Sequence, residues 1–142
     1  MAVLMACCVM VSCGSSNGEE ATTTPPATPA YSVKVTITLT DMDGNAVIDA
    51  VSHSYSSGTI APTPYAVVDD YYYMNMDNGE GKVKVDDGGR LVSIDKLEAV
   101  DGTSYWSITV NGKDIAPEEF SSQALNEGDA LVITLKSTAA LN

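Results

Sequence analysis

Apolar and polar residues alternate along several short segments of this chain. In residues 33–39, valine, isoleucine and leucine occupy every second position, and lysine or threonine lies between them. This period of two is typical of a β-strand that buries one face. Further strands are predicted in residues 46–55, 82–86, 91–94, 105–110 and 125–135.

Turn signals separate these segments. Asn111-Gly112 is a strong hairpin signal because both residues tolerate a positive φ. Gly128-Asp129 is predicted to turn the chain into the last strand, and residues 41–45 are predicted to join the first two strands as a hairpin. The turns therefore favour a sheet in which neighbouring strands run mostly antiparallel.

One helix is predicted in the middle of the chain. Thr63 followed by Pro64 is a typical helix start, because threonine caps the first turn and proline fits the first helical position. The β-favouring residues 67–68 and 71–73 leave a strand open as the alternative. Gly79 is expected to end the helix. Four residues fall near one face at helical spacing: Tyr65, Val68, Tyr72 and Met76.

The predicted order is strand, strand, helix and then four short strands. A helix packed on one face of a mainly antiparallel sheet makes an α+β fold, here close to a β-grasp. Residues 31–142 are long enough to form one domain with its own core.

Residues 1–13 form an uncharged apolar segment that ends at Cys13. A bilayer span needs about 20 apolar residues, so this shorter segment is instead typical of a secretory signal. Residues 10–14 resemble the lipobox of bacterial lipoproteins, whose cysteine takes a diacylglyceryl group and becomes the first mature residue. We therefore predict a lipoprotein signal peptide in residues 1–13 and lipidation at Cys13.

This interpretation has one departure and one alternative. Signal peptides open with lysine or arginine, and neither precedes Ala2, as expected if the true start lies upstream. The alternative is an uncleaved apolar tail with a free Cys13. The three cysteines, Cys7, Cys8 and Cys13, all lie in this segment. The domain that follows is therefore expected to use no disulfide and no cysteine-based site.

Residues 14–30 contain small and polar residues, glutamate and proline, which predicts a disordered tether between membrane and domain. The protein is expected to be exported and lipid-anchored to the bacterial cell envelope, with its domain outside the cytoplasm. Nineteen acidic and seven basic residues give a net charge of −12. This charge excludes a nucleic-acid partner, because nucleic-acid binding relies on basic patches.

No catalytic constellation is visible, so a non-enzymatic protein without a metal site is predicted. Residues 41–45 resemble a calcium loop only faintly, since the glycine comes too early, and a hairpin turn is preferred. The carboxylate pairs Asp69-Asp70 and Asp86-Asp87 are expected to be solvated. His53 has no second histidine or cysteine for a metal site or triad, and is expected on the surface of an edge strand.

Trp106 admits two interpretations. It alternates with Ile108 and Val110, so burial in the core is expected. In the functional alternative, Tyr105 points outward beside the Asn111-Gly112 turn and offers a platform to a flat ligand or a partner chain.

The segment that begins at Tyr105-Trp106 and ends at the last strand resembles the transcobalamin-like C-terminal domain. The matching residues are Tyr105, Trp106, Val110, Asn111, Gly112, Leu125, Gly128, Asp129, Leu131 and Ile133. The resemblance implies a β-grasp-like domain with its helix at the predicted position. In animal cobalamin carriers this domain forms one side of a corrinoid site and faces a separate helical domain, which this sequence lacks.

The sequence therefore predicts an envelope-anchored, non-enzymatic binding module without a resident cofactor, and the resemblance implies cobalamin-like corrinoids as its ligand. The predicted ligand-binding residues are Tyr105, Trp106, Asn111 and Gly112. By this resemblance the chain supplies at most half of such a site, or acts with a second envelope protein. The alternative is a structural or adhesive module that binds a protein or glycan through a sheet edge or the tyrosines in residues 71–73.

Overall fold

A computed structural model describes residues 28–141 of the chain. The predicted signal peptide, the lipidation site at Cys13 and the tether up to residue 27 lie outside the described residues. Among those described, no helix is both long and apolar enough to cross a membrane.

The described chain forms one helix and eight strands. The strands are β1 (Tyr31–Thr40), β2 (Ala46–Ser57), β3 (Val83–Val85), β4 (Leu91–Ile94), β5 (Leu97–Glu98), β6 (Ser104–Val110), β7 (Lys113–Ile115) and β8 (Ala130–Ser137). Helix α1 (Pro64–Asn75) lies between β2 and β3, and short 3₁₀ helices follow at Pro117–Ser121 and Thr138–Leu141.

Two sheets organise these strands. The larger has the order β2-β1-β8-β6-β7, and the smaller has the order β3-β4-β5. β1 and β8 run parallel, whereas the other strand pairs in the described chain are antiparallel. Helix α1 contacts β2, β3 and the Pro117–Ser121 helix. The α+β fold class, mainly antiparallel with one packed helix, is confirmed.

The core lies between one face of the larger sheet and the elements that cover it. The alternation predicted for residues 33–39 is confirmed, because Val35, Ile37 and Leu39 are fully buried in β1. The core also includes Ile108, Leu131, Ile133, Val67, Val68, Tyr72 and Phe120. Burying one such aliphatic side chain contributes about 1.5–3 kcal/mol, so these strands and the helix stabilise one another.

The predicted helix start is confirmed. The Thr63 hydroxyl accepts a hydrogen bond from the Ala66 amide at 3.2 Å, and Pro64 occupies the first turn. The predicted end is wrong, because the helix stops at Asn75 and Met76 is already extended. Gly79 lies beyond the end and packs against the backbone of Tyr72. Met76 is consequently exposed and is not part of the buried face.

Three details of the predicted strands are corrected. The last strand begins at Ala130 rather than at residue 125, because the amide of Asp129 bonds the carbonyl of Asn126 in a turn. The short strands β5 and β7 were not expected. Strands of two or three residues carry too little alternation to be recognised.

Gly79→Ala is expected to destabilise the fold by about 1–3 kcal/mol. A Cβ at this buried position would overlap the carbonyl oxygen of Tyr72, which is helix backbone and has little freedom to move. Denaturant unfolding measures the loss. Gly58→Ala is the control, since no atom lies within 4 Å of its added Cβ. Equal stability of the two variants would contradict this close approach.

Candidate functional site

Strand β6 places the two predicted aromatic residues on opposite faces of the sheet. Trp106 is 4% exposed, and its Nε1 donates a hydrogen bond to the carbonyl of Val92 at 3.0 Å. Tyr105 is half-buried on the other face and pairs across the sheet with Lys136. The core interpretation of Trp106 is therefore the one that the geometry supports.

Asn111 and Gly112 form the two-residue loop between β6 and β7. Their φ angles are 53° and 78°, and Val110 pairs with Lys113, as in a type I′ hairpin. The Asn111 side chain donates to Asp129 Oδ1 at 2.7 Å and accepts from the Ala130 amide at 2.9 Å. Asn111 therefore ties its own turn to the one that precedes β8.

The structure does not bring the four predicted ligand-binding residues together. Tyr105 lies near the start of β6 and Asn111 in the turn that follows it, six residues later, which is about 20 Å at the usual rise of β-structure. Trp106 is in the core, and Asn111 with Gly112 forms the turn at the far end. The prediction that these residues bind a ligand stays a prediction, and a single ligand contacting Tyr105 directly would have to span that distance.

Asn111 does line a cleft. Together with Lys113, Gln123, Asn126 and Asp129, it borders an open space of about 290 Å³. Amide and ammonium groups dominate its polar lining, whereas Asp129 is buried and already bonded to Asn111 and to the Asn126 amide. This space is called the Asn111 cleft below.

His53 is not the surface residue that the sequence predicts. It lies on the edge strand β2, as expected, but helix α1 covers it and leaves it 9% exposed. Its Nε2 lies 2.7 Å from Asp70 Oδ2, and the ring of Tyr71 meets its ring edge-on at 5.5 Å. Asp70 is accordingly not simply a solvated carboxylate, because it joins the helix to the sheet.

A second cleft lies beside this pair, between the end of β2 and helix α1. Its volume is about 320 Å³. The helix contributes Tyr65, Asp69, Asp70 and Tyr73, and the strand and its following loop contribute Tyr55, Ser57 and Ile60. We call it the β2–α1 cleft. Its signal in the sequence is the spacing of Tyr65, Asp69 and Tyr73 by four residues, which places all three on one helix face.

Burial raises the pKa of Asp69 above its ordinary value, and the neighbouring charges of Asp70 and Glu80 add to the rise. Within residues 28–141, no ion pair or hydrogen bond stabilises the Asp69 carboxylate. A partly buried carboxylate without a partner is costly to ionise, so this side chain lowers stability at neutral pH.

The other acidic candidates have local structural roles. Asp41 Oδ1 accepts hydrogen bonds from the amides of Asp43 and Asn45, which is the predicted hairpin turn. Asp86 does the same for Gly88 and Arg90. No group of three potential metal-binding side chains occurs in the described part of the chain.

Helix α1 also carries a buried hydroxyl. Tyr72 is fully buried, and its hydroxyl finds no hydrogen-bond partner among the described residues. Burial raises the pKa of Tyr72 to about 12, with the negative charge of Asp95 contributing. The hydroxyl is therefore neutral at physiological pH.

No protein-family model matches this sequence, and no curated protein matches it. Among solved structures, it is similar to a crystal structure of haptocorrin in complex with Cbi, with a TM-score of 0.56 and 13% identity. That match covers 75% of this chain and 25% of haptocorrin. This chain thus spans about a quarter of that protein, and the likeness shows a shared fold.

A protein from Ruminococcus gnavus ATCC 29149, described as metal binding, also matches, with a TM-score of 0.48 and 17% identity. The match covers 74% of this chain and 97% of that one.

Asp69→Asn is expected to raise the free energy of unfolding at neutral pH, by about 0.5 kcal/mol. The folded pKa of Asp69 lies above the unfolded value of 3.8, so ionisation penalises the folded state more than the unfolded state. The gain should shrink as pH falls through the folded pKa and vanish below 3.8, where both states are protonated.

Denaturant unfolding at several pH values measures this difference. Asp114→Asn, at an exposed position on β7, is the charge-matched control and should show a smaller gain. A variant of Asp69 that is less stable than the parent at neutral pH would show that the carboxylate has a stabilising partner.

Proposed function

We propose that this chain is a non-enzymatic binding module of the bacterial cell envelope, and that its ligands are corrinoids. The observation that carries the proposal is the fold likeness to haptocorrin, which was crystallised in complex with Cbi. The Tyr105-Trp106 to Ile133 pattern adds support from the sequence, because it resembles the transcobalamin-like domain.

Anchoring through a lipid on Cys13 is part of the same proposal. It is supported by the lipobox-like residues 10–14 and by the polar residues that follow them. Labelling of the protein with a fatty acid tests this anchoring. The parent chain is expected to incorporate the label and the Cys13→Ser variant is not. Equal labelling of the two would contradict the proposal.

The size of the clefts limits how a corrinoid could be held. The Asn111 cleft measures about 290 Å³ and is open, close to the lower end of ligand pockets at about 300 Å³. A corrinoid is too large to be enclosed there. We infer that the domain covers one face or edge of the ligand, and that a second envelope protein covers the rest.

The Asn111 cleft is the favoured place for this contact. Lys113, Gln123 and Asn126 offer hydrogen-bonding groups there, and the edge of a corrinoid carries amide groups that can pair with them. The turn that holds the cleft is fixed by the Asn111–Asp129 hydrogen bonds, so little ordering would be needed on binding.

The non-enzymatic part of the proposal is supported by the environment of His53. This side chain is nearly buried, and its Nε2 is bonded to Asp70. A general base needs access to a substrate proton, and the pair instead joins helix α1 to the sheet.

Titration of the full chain in nonionic detergent with cyanocobalamin and cobinamide tests the corrinoid ligand. Calorimetry is expected to give a dissociation constant near the micromolar range, or about −8 kcal/mol. Lys113→Ala should weaken binding several-fold, because Lys113 lines the Asn111 cleft. Lys96→Ala, at an exposed position in the turn between β4 and β5, should leave binding unchanged.

If calorimetry detects no heat of binding with either corrinoid, the proposal that corrinoids are the ligands is contradicted. It would favour the alternative, an adhesive module for a protein or glycan. The free edge of β2 supports that alternative, since Val47 and Val51 are exposed there. Pull-down from envelope extracts tests it, and recovery of nothing above background would count against it.

A further inference from the structure

The β2–α1 cleft has a fixed wall and an aromatic wall. On the strand side, the Tyr55 hydroxyl donates to the Ile60 carbonyl at 2.8 Å, and Ser57 Oγ accepts from the Ile60 amide at 2.9 Å. These bonds hold the loop after β2 in place. On the helix side, Tyr65 and Tyr73 stand one turn to either side of Asp69.

The rim of the cleft exposes large apolar surface. Ile60 is 61% exposed and Tyr73 is 64% exposed, and both border the same opening. Tyr65 is half-buried, so one face of the cleft continues from the surface into the interior. Covering such a surface with an apolar group lowers the free energy, because apolar area is removed from water.

The inside of the cleft is negatively charged. Asp69 and Asp70 line it, and no lysine, arginine or histidine does. The Asp70 side chain bonds His53 through Oδ2, whereas no side chain within residues 28–141 pairs with Asp69. A carboxylate that is partly removed from water attracts a cation more strongly than an exposed one.

We propose that the β2–α1 cleft binds an organic ammonium ion that carries a small apolar group. The ammonium contacts the Asp69 carboxylate between the two tyrosine rings, where the ring faces add cation–π attraction. The apolar group lies against Ile60 and Tyr73. The volume of about 320 Å³ suits one such small molecule.

This site is separate from the Asn111 cleft and does not rest on the corrinoid proposal. The two clefts share no lining residue. An anion is disfavoured by both carboxylates. A neutral apolar molecule would fill the space but would leave the carboxylate without a counter-charge.

Titration of the ¹⁵N-labelled full chain with phenethylamine, followed by NMR, tests the proposal. Phenethylamine is protonated at neutral pH and combines an ammonium with a small apolar ring. Amide shifts are expected at Tyr65, Asp69 and Tyr73, with a dissociation constant of about 1 mM or tighter. The neutral 2-phenylethanol and the anionic 3-phenylpropionate are expected to bind at least about tenfold more weakly.

Two pairs of variants separate charge from ring. Asp69→Asn should weaken phenethylamine binding at least about tenfold, whereas Asp114→Asn on β7, at the opposite edge of the sheet, should not change it. Tyr73→Ser should weaken binding, and Tyr73→Phe should restore it. Tyr73 is mostly exposed, so its removal should leave the fold intact, which the dispersion of the NMR spectrum verifies.

Three results would each overturn the proposal. The first is the absence of any amide shift at a phenethylamine concentration of about ten times the expected dissociation constant. The second is equal binding of 2-phenylethanol and phenethylamine, which would make the cleft a purely apolar pocket. The third is equal binding by Asp69→Asn and the parent chain, which would place the ammonium elsewhere. None of these outcomes bears on the corrinoid proposal, which concerns the Asn111 cleft.

Discussion

The parallel pairing of β1 with β8 is the constraint on which the larger sheet depends, and the turn before β8 holds it. The Lys34 carbonyl accepts a hydrogen bond from the Gly128 amide at 2.8 Å, and the Thr36 amide donates to the Asp129 carbonyl at 2.9 Å. Asn111 bonds the same turn from the other side. The β1–β2 and β6–β7 hairpins are thus joined through β8, and their apolar faces share one core.

The local parts of this fold could be predicted from the sequence. Alternation predicted β1, Asn111-Gly112 predicted the turn after β6, and the Thr63-Pro64 cap predicted the helix start. Each of these signals acts within a few residues. The parallel pairing and the covering of β2 by α1 depend on residues far apart in the chain, and no local pattern encodes them. This is why His53 was expected on the surface and is buried against Asp70.

The candidate site shows the same division. Trp106 stands out in the sequence as a core residue and Asn111 as a turn residue. In the structure each makes a hydrogen bond within the fold, Trp106 to the Val92 carbonyl and Asn111 to the Asp129 side chain. The clefts are lined by separate elements that meet only after folding. The spacing of Tyr65, Asp69 and Tyr73 places them on one helix face, but nothing in the sequence indicates which strand and loop lie opposite them.

The central claim is that the turn before β8, which Asn111 bonds from one side, supports the larger sheet, and the unfolding free energy of Asn111→Gly tests it most directly. Glycine keeps the positive φ and removes both hydrogen bonds to the turn before β8. Asn78→Gly is the control, with a similar φ of 58° at an exposed position. The account predicts a loss of about 1–3 kcal/mol beyond the control. Equal stability of the two variants would contradict it.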